Sequence, residues 1–278
     1  MATTFLCFAT LLLPASPVLS QDPGVVEDVP YLATPQVTVD EMLRLAGVGP
    51  GDVVYDLGSG DGRVVITAAR KFGARAVGVE IDLALVAQSR ANAARAGVAD
   101  RTRILQQDLF ATDLGEATVI TLYLAPHLNL RLRPKLLGLA PGTRIVSHGA
   151  DLGDWRPDRR TAIRKDVLLW YVPAQLAGRW RARIAPLPGE RYLELVFSQR
   201  YQELSADARL DGLPTQVWEA RLEGDNLRFA LVDATEPGEE TVLYFSGKVR
   251  GDTIEGEVAR DVGIARRLAG WRAERLGR

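Results

Sequence analysis

The stretch Val53-Val54-Tyr55-Asp56-Leu57-Gly58-Ser59-Gly60-Asp61-Gly62 constrains this chain more than any other. Residues suited to a buried strand run into an acid, and then into a turn with glycine at alternate positions. Glycine allows backbone angles closed to other residues and lets the turn pass close to a ligand. A segment of helical period begins near Arg63 and aims its free N–H groups back into the turn. A strand, glycine turn and helix in this order bind nucleotide-like cofactors.

The acid narrows the choice of cofactor. Dinucleotide folds use G-x-G-x-x-G, whereas this pattern is Asp-x-Gly-x-Gly-x-Gly. A carboxylate just before the turn would meet a pyrophosphate as a like charge in a partly dry cleft. It suits a phosphate-free cofactor with a cationic end. S-adenosylmethionine, with its sulfonium and ammonium groups, is such a molecule.

Later acids fall at matching intervals. Glu80 ends an apolar run at residues 76–80, and Asp108 ends another at 103–108. Strands are expected there and at 52–57, 117–124 and 144–148, with helices between them. That alternation implies a parallel sheet covered on both faces, whose ligands bind at the C-terminal strand ends. Glu80 can accept hydrogen bonds from both ribose hydroxyls, and Asp108 from the adenine amino group. Ile81 and Leu109 complete the expected adenosine contacts, with Phe110 packing near the ring. Asp56 and the backbone of Gly58, Ser59, Gly60 and Gly62 would face the methionine portion. Before this unit, Thr38 and Glu41 read as a capping box opening a short helix.

Methyl transfer requires donor and acceptor to be held in near-attack geometry. A lysine acceptor must also lose a proton, because its free pKa is about 10.4. The loop at residues 122–127 is the natural place for this chemistry. Tyr123 could orient a neutral amine and His127 could accept a proton; equally, Tyr123 could be core and His127 a surface loop residue. His148 reads as a packed polar residue.

Beyond Gly178-Arg179-Trp180 helical character returns at most in the last few residues. Alternating stretches with polar turns at residues 224–226 and 251–252 instead indicate antiparallel hairpins. They are expected to form a meander closing into a barrel or a sandwich.

The remaining composition sets bounds. A formal charge of −1 argues against a general nucleic-acid binder. One cysteine (Cys7) and two histidines give no basis for a metal site. The apolar run at residues 5–13 is too short to span a bilayer but matches the core of a secretory signal. Val18 and Ser20 suit a cleavage site, although no Lys or Arg precedes Arg44. Residues 1–20 are therefore expected to be a signal peptide or apolar leader, 21–178 the cofactor-binding domain and 179–278 the β-domain. The leader implies an extracytoplasmic location, with a cytoplasmic one as the alternative.

Several of these motifs together resemble one family. They are Tyr31-Leu32-Ala33-Thr34-Pro35, Asp56-Leu57-Gly58-Ser59-Gly60-Asp61-Gly62-Arg63, the loop 123–126, and Arg144-Ile145-Val146-Ser147 with Trp155 and Pro157. The family is the class I S-adenosylmethionine methyltransferases related to the mitochondrial enzymes that methylate lysines of an ATP synthase component and the adenine nucleotide carrier. The resemblance covers about residues 28–175. It implies a doubly wound, Rossmann-like, seven-strand α/β sheet, with Tyr31, Thr34 and Pro35 packing against the cofactor. It also implies a protein lysine as acceptor. A small molecule or lipid acceptor, and a secreted binding module without activity, are the alternative readings. The β-domain has no counterpart in that family and is similar to small lipocalin-type modules.

Overall fold

Alternation of strands and amphipathic helices governs the first half of the chain. The computed structural model describes residues 32–163, 165–185, 190–234, 241–262 and 265–277. Tyr31 and the leader at 1–20 lie outside the described residues. Helix α1 (Gln36–Leu45) is followed by β1 (Val53–Leu57), α2 (Arg63–Phe72), β2 (Arg75–Glu80) and α3 (Leu83–Arg95). Then come β3 (Thr102–Gln106), β4 (Val119–Leu122), α4 (Pro126–Leu137), β5 (Arg144–His148), β6 (Arg159–Ile163) and β7 (Lys165–Tyr171). The seven strands make one sheet in the order β3-β2-β1-β4-β5-β7-β6. Strands β1 to β5 run parallel, and β7 runs antiparallel to both of its neighbours.

Strand alternation assigns the two faces. Val54, Val119 and Val146 pack with residues of α1, α2 and α3. Val53, Tyr55 and Leu57 point the other way, toward Leu132 and Leu136 of α4. All five residues of β1 are buried, as a strand covered on both faces requires.

Three expectations need correction. Helix α1 starts at Gln36, and its cap is Pro35, whose carbonyl accepts from Thr38 N and Val39 N at 2.9 and 3.0 Å. Proline's fixed φ sets the extended geometry of a cap before the expected capping box could form. Thr38 is thus buried inside the helix, and Glu41 pairs with Arg44 at 2.6 Å. The third strand stops at Gln106, leaving Asp108 in a turn where its own carboxylate accepts from Phe110 N at 2.8 Å. Strands β6 and β7 have no counterpart among the strands expected from the residues themselves. Arg159-Arg160-Thr161 lacks apolar alternation, because Arg159 pairs outward with Glu223 at 2.9 Å.

The second half is an eight-stranded closed barrel. Its strands are β8 (Gly178–Ile184), β9 (Arg191–Arg200), β10 (Glu203–Leu210), β11 (Leu213–Glu223), β12 (Asn226–Asp233), β13 (Thr241–Arg250), β14 (Thr253–Val262) and β15 (Ala265–Arg275). Each pairs antiparallel with the next, and β15 returns to pair with β8. The last residues are therefore strand, not helix. Trp271 and Ala273 point inward while Arg272 and Glu274 point out, a period of two. Phe229 stacks on Phe245 at 4.6 Å, and Trp271 meets both rings edge-on at 5.8 and 5.2 Å. These aromatics occupy the barrel's centre.

Barrel and sheet are joined by specific contacts. Trp155 stacks on Tyr201 at 5.9 Å, donates through Nε1 to Gln202 Oε1 at 3.0 Å, and accepts on its carbonyl from Trp170 Nε1 at 2.7 Å. Tyr201 and Gln202 form the β9–β10 turn, with Tyr201 at φ 56°. Asp154 accepts from Arg200 at 2.6 Å and from Tyr201 Oη at 3.0 Å, which holds its carboxyl below the usual range. Gln199 fixes the connecting segment by accepting from Leu176 N at 2.6 Å and donating to Ala174 O at 2.8 Å. Trp155→Ala removes a fully buried aromatic and should cost about 3–5 kcal/mol in chemical denaturation. Asp154→Ala, which loses solvent-screened ion pairs and one exposed hydrogen bond from Tyr201 Oη, should shift the denaturation midpoint far less. Equal losses would contradict this picture of the junction.

Candidate active site

The C-terminal edge of the parallel strands gathers most of the acids singled out above. Asp56 is the penultimate residue of β1 and Glu80 the last of β2, and both are buried. Glu80 Oε2 accepts from Gly60 N at 2.8 Å, and its Oε1 accepts from Ile81 N and Asp82 N at 2.8 and 3.0 Å. Asp56 accepts from Thr121 Oγ1 at 2.6 Å. The amides of Gly58 and Ser59 both donate to Val79 O at 2.9 Å. They hold the turn against β2 and are not directed at an anion, which separates this turn from a phosphate cradle.

Glycine is required at two places here. Gly62 caps α2 at φ 80°, and a Cβ there would lie 2.1 Å from Ser89 Oγ. Gly78, inside β2, admits Ser59, whose Oγ would lie 2.7 Å from a Cβ. Gly78 was not among the candidates expected from sequence, although a glycine inside an apolar strand marks close backbone approach. Neither was Thr121. The buried hydroxyls of Ser59 and Ser89 have no hydrogen-bond partner among the described residues.

The other candidates are more widely placed. Asp108 is exposed, but Gln107 N before it donates to Glu80 O at 3.0 Å. Leu109 and Phe110 are half-buried, and Arg131 lies 3.8 Å over the Phe110 ring. Ile81 is exposed beside Glu80. Arg63 holds Asp61 at 2.6 Å and donates to Thr34 O at 2.8 Å, drawing the N-terminal segment to the glycine turn. Thr34 is buried there, whereas Pro35 is exposed and serves as the α1 cap. Tyr123, in the loop after β4, stacks on the buried His148 at 4.3 Å. A Cβ on Gly58 would lie 3.0 Å from Leu124, so this loop touches the cofactor turn. His127 is not in the loop: Pro126 opens α4 at its first position, and His127 sits exposed in the first helical turn.

The electrostatics fit a cation. Asp56 is pushed up to about 7 by burial, and further by Glu80 and Asp61, against the lowering effect of the Thr121 hydrogen bond. An uncompensated acid of this kind repels phosphate and welcomes an ammonium or sulfonium group. Among the described residues no cluster of His, Cys, Asp and Glu could hold a metal ion. Sheet order, glycine turn and ordered acids define a class I S-adenosylmethionine-dependent methyltransferase.

Known proteins agree. The ANTKMT methyltransferase domain matches residues 56–159. A protein-lysine N-methyltransferase of Saccharolobus islandicus is 46% identical over 48% of this chain and 83% of its own. The adenine nucleotide translocase lysine N-methyltransferase of Mus musculus is 37% identical over 46% of this chain, which spans 56% of that enzyme. The structure of an RNA methyltransferase from Salinibacter ruber in complex with S-adenosyl-L-homocysteine is 54% identical, covering 52% of this chain and 96% of its own, with a TM-score of 0.51. Residues 56–159 carry the ANTKMT methyltransferase domain, and the chain belongs to the same family as the Saccharolobus islandicus protein-lysine N-methyltransferase.

The raised Asp56 has a definite sign. In the free protein its contribution to stability is complete below the unfolded value of 3.8 and is lost as pH rises through about 7. A bound cation favours the carboxylate, so binding displaces a proton below pH 7. Affinity for S-adenosylhomocysteine should fall about tenfold per pH unit below that point and level off above it. Calorimetry across this range checks it, and a pH-independent wild-type affinity would count against the assignment. Asp56→Asn should flatten the profile. Separately, Glu80→Ala should weaken cofactor binding by about 1–3 kcal/mol, and an unchanged dissociation constant would remove Glu80 from the cofactor site.

Proposed function

We propose that this methyltransferase modifies a lysine side chain of a protein. The observation that carries the reading is the identity to the Saccharolobus islandicus protein-lysine N-methyltransferase, which extends over 83% of that relative. When bound, the cofactor supplies an electrophilic methyl group. This chain must then bring a neutral amine to it and keep competing water away.

The loop after β4 suits that task because Leu124 abuts Gly58 of the cofactor turn. Tyr123 is held by its stack on His148, and a fixed phenol can orient an amine lone pair. His127 is exposed at the start of α4, where it can pass a proton to solvent.

The name of the Salinibacter ruber relative raises an RNA acceptor as a second reading. Each cation of α4 beside the site already has a contact within the fold, which favours protein over a phosphate backbone. Arg131 covers Phe110, Arg133 donates to Leu152 O at 3.0 Å, and Lys135 donates to Phe110 O at 2.8 Å.

The test uses the purified full chain, methyl-labelled cofactor and a cell lysate. Label should enter material degraded by protease and resistant to nuclease, and mass spectrometry should locate it on lysine. Nuclease-sensitive label would transfer the assignment to RNA, and label in the solvent-extractable fraction would transfer it to a lipid or small molecule.

A further inference from the structure

The sheet face beneath α1 changes character toward the C-terminal strand ends. Val54, Val119 and Val146 form its apolar part. Two residues further along the same three strands stand Asp56, Thr121 and His148, and side-chain alternation keeps them on that face. Tyr123 continues the series one residue past β4, beside His148, because Leu122 is paired with Ser147. Asp56 and Thr121 belong to the cofactor end of this polar layer, joined by their 2.6 Å hydrogen bond. Tyr123 and His148 form its other end, with ring centroids 4.3 Å apart and 28° between the planes.

The two rings are held differently. His148 is the last residue of β5, is 2% exposed, and pairs through its backbone with Val167 of β7. The chain is fastened again directly after it. Ser147 Oγ donates to Ala150 O at 2.6 Å, and Asn129 of α4 donates to Ala150 O and Asp151 O at 3.3 Å. Helix α1 covers the same region of the sheet. Its C-terminal end is fixed at the start of β5, where Arg144 donates to Ala46 O at 2.9 Å, and its N-terminal end is drawn to the glycine turn through Thr34. It therefore runs antiparallel to β5. Thr38 lies about 12 Å back along the helix from Ala46, and His148 about 13 Å along the strand from Arg144. The fully buried Thr38 is thus level with His148 and closes the layer from above. Tyr123, by contrast, is half-buried in the loop after β4, outside the strand ladder.

We propose that His148 is a positioning residue for methyl transfer, a rigid aromatic platform that sets the plane of the Tyr123 ring. The inference rests on the reading in which the Tyr123 phenol orients the acceptor. A stacked partner restricts a phenol to one plane, and in-line attack on a methyl group tolerates little misplacement of the groups that aim it. A branched aliphatic residue at position 148 would fill the same buried space without offering a flat face. His148 is covered by Tyr123 and α1, so it acts through that ring and does not touch the acceptor.

Initial rates of methyl transfer by the full chain, from labelled S-adenosylmethionine at saturation into a cell lysate, test it. His148→Leu keeps a buried apolar side chain but removes the ring face, and should lower the rate by about tenfold or more. His148→Phe restores the face and should stay within about threefold of the wild type. Both should keep the wild-type KM for S-adenosylmethionine, which a general loosening of the site would raise. Tyr123→Phe keeps the stack and loses the hydroxyl. It should be at least as slow as His148→Leu, and the double variant His148→Leu, Tyr123→Phe should be no slower than Tyr123→Phe alone. Equal rates for the Leu and Phe variants at position 148 overturn the proposal, as do additive losses in the double variant. A wild-type rate for Tyr123→Phe would remove Tyr123 from the reaction and the proposal with it. Protease and nuclease sensitivity of the label reports the acceptor class separately, so an error in that assignment is distinguishable from an error about His148.

Discussion

Burial of Asp56 without a cationic partner is the constraint around which the cofactor-binding half is arranged. The neighbouring acids are each compensated: Glu80 by three backbone amides, and Asp61 by Arg63. Asp56 has the Thr121 hydroxyl. A neutral hydroxyl does not offset a full negative charge, so the free protein holds the carboxyl near neutrality. The cost is confined to one point because the glycine turn is otherwise anchored, through Val79 O and through Gly78, which makes room for Ser59. Affinity for a positively charged ligand thus comes from a charge left incomplete inside a rigid frame.

The same frame connects distant parts of the chain. Arg63 links the glycine turn to Thr34, and Leu124 links it to the loop carrying Tyr123. On the far side, Asn129 of α4 donates to Ser147 Oγ and to the carbonyls of Ala150 and Asp151, each at 3.3 Å. The segment that begins there reaches Asp154 and Trp155, where the barrel attaches. The glycine turn, the Tyr123 loop and the barrel junction are therefore joined through a continuous set of contacts.

Much of this was legible in the sequence, for reasons that also explain the omissions. Strands β1, β2 and β5 are dense apolar runs with clear punctuation, and the acids Asp56 and Glu80 stand at the ends of the first two. Hairpin turns with glycine marked the second half as antiparallel, and the barrel is one of the two closures expected for it. Residues whose roles come from tertiary partners were harder to read. The β6–β7 hairpin owes its existence to β5 and to Glu223 in the barrel, not to local periodicity. Thr38 had the right spacing for a cap, yet Pro35 supplied the geometry first. His127 looked like a loop residue because Pro126 suggests a break, whereas proline at the first position begins a helix.

Closure of the barrel has a consequence for how the molecule is made. The seven-stranded sheet is complete once Tyr171 has been added, although its central pairing, β1 with β4, already joins residues about 65 apart such as Val54 and Val119. The barrel is sealed by β15 against β8, with Trp180 opposite Arg275, and Arg275 also donates to the carbonyls of Gln175 and Ala177 at 2.5 Å. The ring of paired strands stays broken until that last strand emerges. Long-range closure of this kind is slow relative to local pairing. The sheet can thus pair its strands before the barrel does, while the barrel remains an open sheet with two unpaired edges until β15 has been added.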